Sequence, residues 1–225
     1  MDKTEWLASK VFPPGCALVI IDVQNDYCHE NGALNKFGRK VSDIRQMVPR
    51  LKEIVEKARQ IQVPVVHVRM ANSELTKSDA YLEHRSRRSG GNRQVCQEGT
   101  WGAEFYEIEP RLGEPVVTKN RYSAFVNTNF ETILRAQGVK TVILAGVTTD
   151  VCVESTARDA FMRDYHVLFL SDCTGVDDPA VQQATLERID RYFGHVVSSG
   201  DVVKAWDRRQ KGKSEASLAG TRELK

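Results

Sequence analysis

Three polar side chains stand where short apolar runs end: Asp22 directly after Ala17–Ile21, Lys119 directly after Val116–Thr118, and Cys152 one turn beyond Thr141–Ala145. A thiol, a carboxylate and an ammonium are the parts of a nucleophile, a base and a group that orients the base. Cys152 opens the helical pattern that follows Gly146–Val151. A helix N-terminus favours thiolate through its dipole and its unpaired N–H groups, and those donors also suit an oxyanion formed during acyl transfer. Asp22 suits a general base towards the thiol and an acid towards a departing amine, with Lys119 keeping it ionised. Each residue taken alone has a plainer reading. A single Cys commonly packs as a small apolar residue, an Asp after a strand caps a turn, and a Lys at a strand end is usually solvated.

The runs that would position these groups are Ala17–Ile21, Val63–Val68, Thr141–Ala145 and Val167–Leu170, with Glu114–Thr118 and His195–Val197 as weaker candidates. The four stronger runs are continuous rather than alternating in hydrophobicity, the pattern of parallel strands covered on both faces. Between the runs lie stretches with apolar spacings of three and four: Ile44–Gln60, Asn129–Gln137, Cys152–Asp164 and Pro179–Tyr192. Gly138 is placed to stop one helix and Asp178-Pro179 to start another. Strands alternating with helices predict an α/β fold built on a parallel sheet with right-handed crossovers, whose ligands sit beyond the carboxyl ends of the strands. One domain over 1–206 is expected, followed by a charged tail over 207–225. The polar stretch from Ala71 to Gly102, with Arg85, Arg87, Arg88 and Arg93 around Gly90-Gly91, reads as a long irregular segment: a lid, a contact between subunits, or a plain solvated loop.

Composition narrows the partners. A net charge of +2 in 225 residues gives no reason to expect nucleic acid or an anionic membrane. No apolar run approaches the roughly 18 residues of a membrane helix, and the start MDKTEWLASKVF has no signal-peptide pattern. A cytoplasmic protein is expected. Cys16, Cys28, Cys96, Cys152 and Cys173 are odd in number, irregularly spaced and without a CxxC pair, which suits a reducing compartment rather than a disulfide framework or a zinc ribbon.

At these residues the sequence resembles the isochorismatase-like hydrolase superfamily, in its cysteine hydrolase branch. The matching pieces are ALVIIDVQNDYC at 17–28, VTKNRYSAFVNT at 117–128 and AGVTTDVCVESTARDA at 145–160, in the family's order. The resemblance covers roughly Pro14 to Trp206 and delivers Asp22, Lys119 and Cys152 as the catalytic residues. It implies a sheet of about six strands with helices on both faces, assembled as a homodimer or homotetramer. It also implies a non-proline cis peptide at Val147–Thr148, with the Thr148 and Cys152 N–H groups forming the oxyanion hole. True isochorismatases lack the nucleophilic cysteine, so Cys152 argues for amide chemistry. The metal cluster of nicotinamidases has no counterpart in the region of His67, and His29, His67 and His84 read as ordinary histidines; neither a metal nor another cofactor is expected.

Among cysteine members the pattern resembles the ureidoacrylate amidohydrolase and carbamoyl-amide group, in which Tyr27 and Tyr122 map to aromatic pocket positions. The resemblance therefore implies a small linear amide substrate, attacked by Cys152 to give a thioester and an amine. Arg121 and Arg158 both lie in the motif segments, and either could hold a substrate carboxylate. Two other classes remain open: a catalytically silent binding or scaffold protein, and a thiol redox protein in which Cys173 approaches Cys152.

Overall fold

The computed structural model of the chain describes residues 3–87 and 94–208. Six strands, β1 (Cys16–Ile21), β2 (Val65–Met70), β3 (Val116–Lys119), β4 (Thr141–Val147), β5 (His166–Gly175) and β6 (His195–Val197), form one sheet in the order β3-β2-β1-β4-β5-β6. Every pairing is parallel. The residues of β1 and β4 are all buried, which explains their unbroken apolar runs. The flanking helices are α1 (Lys3–Lys10), α2 (Asn25–Cys28), α3 (Ala33–Lys36), α4 (Val41–Arg45), α5 (Val48–Gln60), α6 (Asp79–Ser86), α7 (Phe130–Ala136), α8 (Glu154–Phe161) and α9 (Pro179–Tyr192). A last helical stretch at 199–208 seats the fully buried Trp206, whose Nε1–H donates to the Val11 carbonyl at 2.6 Å.

This strand order reverses direction between β1 and β4. A crevice opens at such a switch point, beyond the carboxyl ends of the two strands. Asp22 follows β1 and Thr148 follows β4, so both flank that crevice.

The structure corrects several expected boundaries. The apolar pattern from Ile44 to Gln60 is split into α4 and α5, because Pro49 lies in the first turn of α5 and has no N–H to continue an earlier helix. Strand β2 begins at Val65 rather than Val63. Pro64 has no donor for the ladder and contributes its carbonyl, which accepts from Leu18 N–H at 2.9 Å. Strand β5 runs past Leu170 to Gly175 through an irregularity opposite Leu144 and Gly146. The expected helix starts and stops do hold: Asp178 accepts the Ala180 N–H at 2.8 Å, and Gly138 takes the left-handed conformation after α7.

The stretch from Ala71 to Gly102 is more ordered than its composition suggests. It holds a 3-10 turn at Glu74–Thr76 closed by a Ser73 capping box, helix α6, and the start of a second 3-10 turn at Trp101–Ala103. Arg88, Gly90, Gly91 and Arg93 lie outside the described residues, as does the tail beyond Arg208.

Candidate active site

Strands β1 and β3 are separated by β2, about two strand spacings or roughly 10 Å. A lysine is long enough to cross most of that gap. From the end of β3, the Lys119 ammonium reaches Asp22 Oδ2 at 2.7 Å, and both side chains are fully buried. The same Nζ lies 3.4 Å from Cys152 Sγ and 3.2 Å from the Arg121 carbonyl. Residues distant in sequence thus converge on one ammonium. Asp22 Oδ1 is buried and without a partner among the described residues.

The electrostatics follow from burial. Loss of water raises the Asp22 carboxyl above its ordinary range, although Lys119 pulls in the opposite direction. Burial also works against the Lys119 ammonium, but the acidic groups of Asp22 and Cys152 beside it outweigh burial and leave the ammonium raised. The Cys152 thiol is driven far above its usual value by burial first and by Asp22 second, against the pull of Lys119. Burial and Asp22 thus oppose the thiolate that a helix terminus favours. Cys152 is 3% exposed, and burial favours the neutral thiol. Nor does Cys152 begin an ordinary helix. It sits in a π-helical turn, Thr149–Val153, ahead of α8. Thr156 secures that turn, donating to the Cys152 carbonyl at 2.8 Å and accepting the Ala124 N–H at 3.1 Å.

The Val147–Thr148 peptide is cis. Gly146 next to it has φ 119°, and a Cβ there would lie 2.0 Å from the Ile21 carbonyl oxygen. Only glycine lets β4 pass this close to the end of β1. Asp22 itself adopts φ 54°, turning the chain away from β1.

Beside the triad lies a cavity of about 300 Å³ lined by Tyr27, Met70, Asn72, Tyr81, Arg121 and Tyr122, among others. Tyr27 and Tyr122 therefore share one wall. Burial raises the Tyr27 hydroxyl, and the acidic groups of Cys96, Cys152 and Asp22 around it raise it further. Arg121 belongs to the same wall, and Arg158 does not. Arg158 pairs with Glu154, 2.6 Å away, and its guanidinium covers the Phe193 ring at 4.2 Å. His67 is buried in β2 with Nε2 2.9 Å from Glu114, His29 packs against Trp101, and His84 lines the cavity. Among the described residues no three His, Cys, Asp or Glu side chains are grouped as a metal site, and no helix is long and apolar enough to cross a membrane.

Sequence reasoning missed the residues that hold the loops in place. Buried Gln24 donates to the Met70 and Ala103 carbonyls at 2.9 and 2.7 Å and accepts the Met70 N–H at 2.8 Å, joining the end of β2 to the second 3-10 turn. Asp26 accepts the N–H groups of Ala33 and Cys96, at 2.9 and 2.6 Å. Cys96, not Cys173, shares the field of Asp22, Lys119 and Cys152. Cys173 instead neighbours Asp172, Ser199 and Arg50. The polar types at positions 24 and 26, directly after a buried strand, were the available signal.

The isochorismatase domain model matches residues 16–201. The chain belongs to the isochorismatase family. Among curated members it is similar to the ureidoacrylate amidohydrolase RutB of Agrobacterium fabrum, 32% identical over 203 residues, which covers 84% of this chain and 89% of that protein. Among solved isochorismatase-family folds, the cysteine hydrolase of Pseudomonas syringae pv. phaseolicola superposes with a TM-score of 0.78 at 27% identity, over 88% of this chain and 95% of the other. The N-carbamoylsarcosine amidase of Thermoplasma acidophilum gives 0.68 at 29% identity, over 82% and 96%. Two of these relatives are thus named as amide hydrolases and the third as a cysteine hydrolase.

Proposed function

We propose that this isochorismatase-family enzyme hydrolyses the C–N bond of a small linear amide of ureido or carbamoyl type, using Cys152 as nucleophile and no metal. The observation that carries the reading is the ammonium of Lys119 set between Asp22 Oδ2 and Cys152 Sγ, with Asp22 Oδ1 buried and unpartnered among the described residues. The names of the relatives support the substrate type.

Asp22 takes the thiol proton while Sγ forms a bond to the amide carbonyl carbon. A raised carboxyl is a stronger base than an ordinary aspartate, so the buried site favours the transfer in the needed direction. Lys119 stays cationic and stabilises negative charge as it moves from carboxylate to sulfur. The tetrahedral oxyanion rests on the Thr148 and Cys152 N–H groups. Its collapse breaks the C–N bond, Asp22 returns the proton to nitrogen, and the amine or ammonia leaves a thioester on Cys152. Water, deprotonated by Asp22, attacks the thioester and releases the acid and the thiol. With a ureido substrate that acid is a carbamate, which decomposes to carbon dioxide and an amine. The enzyme is read as a cytoplasmic homodimer or homotetramer.

The test is ammonia release from ureidoacrylate, biuret, N-carbamoyl amino acids, nicotinamide and maleamate, with a chelator present. Cys152→Ala and Asp22→Asn should each lose activity by roughly four orders of magnitude or more while circular dichroism stays unchanged. Turnover retained in either variant, or abolished by the chelator, overturns the mechanism.

A further inference from the structure

The cavity beside the triad carries a marked asymmetry of charge. Arg121 lines it, and no Asp or Glu does so among the described residues. The Arg121 guanidinium is held from one side: Nη1 donates to the Thr76 carbonyl at 3.1 Å and to the Asn120 carbonyl at 2.7 Å. Nε and Nη2 have no partner among the described residues, and these two form the edge that grips a carboxylate in bidentate fashion. A guanidinium anchored on one side, with its fork open on the other, loses little freedom on binding, which favours recognition.

Two further features set the position of a ligand. The carbonyl of Arg121 accepts from Lys119 Nζ, and the same residue lines the cavity, so Arg121 joins the two. Tyr27, Tyr81 and Tyr122 line the same cavity and offer flat apolar surface. Helix α6 completes the wall by contributing Tyr81 and, on the same side of the cavity, His84 as a further nitrogen donor.

We infer that the substrate is a short, anionic amide whose carboxylate, at the end remote from the scissile bond, is gripped by Arg121 with His84 beside it. The inference rests on the amidase reading and adds the residues that recognise the carboxylate at the substrate's far end. Neutral amides of the same length are poor ligands because they leave the guanidinium fork unpaired.

The experiment pairs N-carbamoyl-β-alanine with its methyl ester, which differ by one charge. Calorimetry on Cys152→Ala protein should give at least tenfold tighter binding of the acid. Adding Arg121→Met should remove that preference and leave the ester unchanged, Arg121→Lys should restore part of it, and His84→Leu should weaken the acid several-fold. His84 is exposed on α6, so its variant keeps the test informative should Arg121→Met fail to fold. In the active enzyme the loss should fall on KM for the acid, with kcat little changed. Equal binding of acid and ester, binding of neither, or acid binding indifferent to both positions overturns the inference. Turnover of the ester as good as that of the acid also overturns it and leaves amide hydrolysis standing. Acid-selective, Arg121-dependent binding with no ammonia from wild type does the reverse.

Discussion

Replacing Lys119 with Met keeps the length of the side chain but removes the ammonium from a pair in which both side chains are fully buried. Asp22 must then stay charged without a partner or take up a proton. Protonation sets the ceiling on the cost. At pH 7 a carboxyl with an ordinary value of 3.8 is about three pH units above its midpoint, and neutralising it costs about 4 kcal/mol. That lies within the roughly 3–5 kcal/mol typical of breaking a buried ion pair from one side. The sign follows from linkage. Asp22 in the variant has a folded value raised further above its unfolded one, so the folded state holds the extra proton. Stability is then retained at low pH and lost as pH rises, by at most about 1.4 kcal/mol per unit.

Urea unfolding of wild type and Lys119→Met at pH 5, 6, 7 and 8 should therefore show a gap that widens with pH. The loss of the Lys119 contacts to Cys152 and the Arg121 carbonyl adds a constant that pH does not change in this range. In an Asp22→Asn background the same Lys119→Met substitution should produce no widening. A gap of the same size at pH 5 and pH 8, or a widening that persists in the Asp22→Asn background, would refute the argument that burial of Asp22 controls the site.

Gly146→Ala should destabilise the protein by more than about 3 kcal/mol, or prevent folding, since the new methyl meets backbone at Ile21 and φ is positive; thermal unfolding reads this directly. Glu114 gives a pH signature of the opposite sign to Asp22. Burial raises it, but Arg59, the Arg111 N–H and His67 outweigh burial and bring it down from 4.5 to about 2. Its contribution is present above pH 4.5 and lost as pH falls towards 2, so Glu114→Gln should flatten acid unfolding in that window, followed by tryptophan fluorescence.

The parallel sheet was legible in the sequence because a strand buried on both faces leaves a local mark: Ala17–Ile21 and Thr141–Ala145 are unbroken apolar runs, the first ending at Asp22 and the second a turn before Cys152. Asp22, Lys119 and Cys152 could be singled out for the same reason, since strand ends are where an α/β sheet presents its side chains. Their convergence on one ammonium was not legible, because it depends on a strand order in which β3 and β1 are separated only by β2. The shift of the Cys152 thiol runs against the local pull of a helix terminus. A helix terminus is read from neighbouring residues, whereas desolvation and the charge of Asp22 arise from chain far away in sequence, and at full burial they prevail. Arg121 and Arg158 looked equivalent in their motifs. Only packing separated them, placing Arg121 on the cavity beside Tyr27 and pairing Arg158 with Glu154 over Phe193. The sequence by itself determined the architecture and the polar groups that stand at the strand ends, which depend on local pattern. The tertiary structure alone decided which groups meet, which are deprived of water and which cation faces the cavity, because contact and desolvation are properties of distant segments brought together.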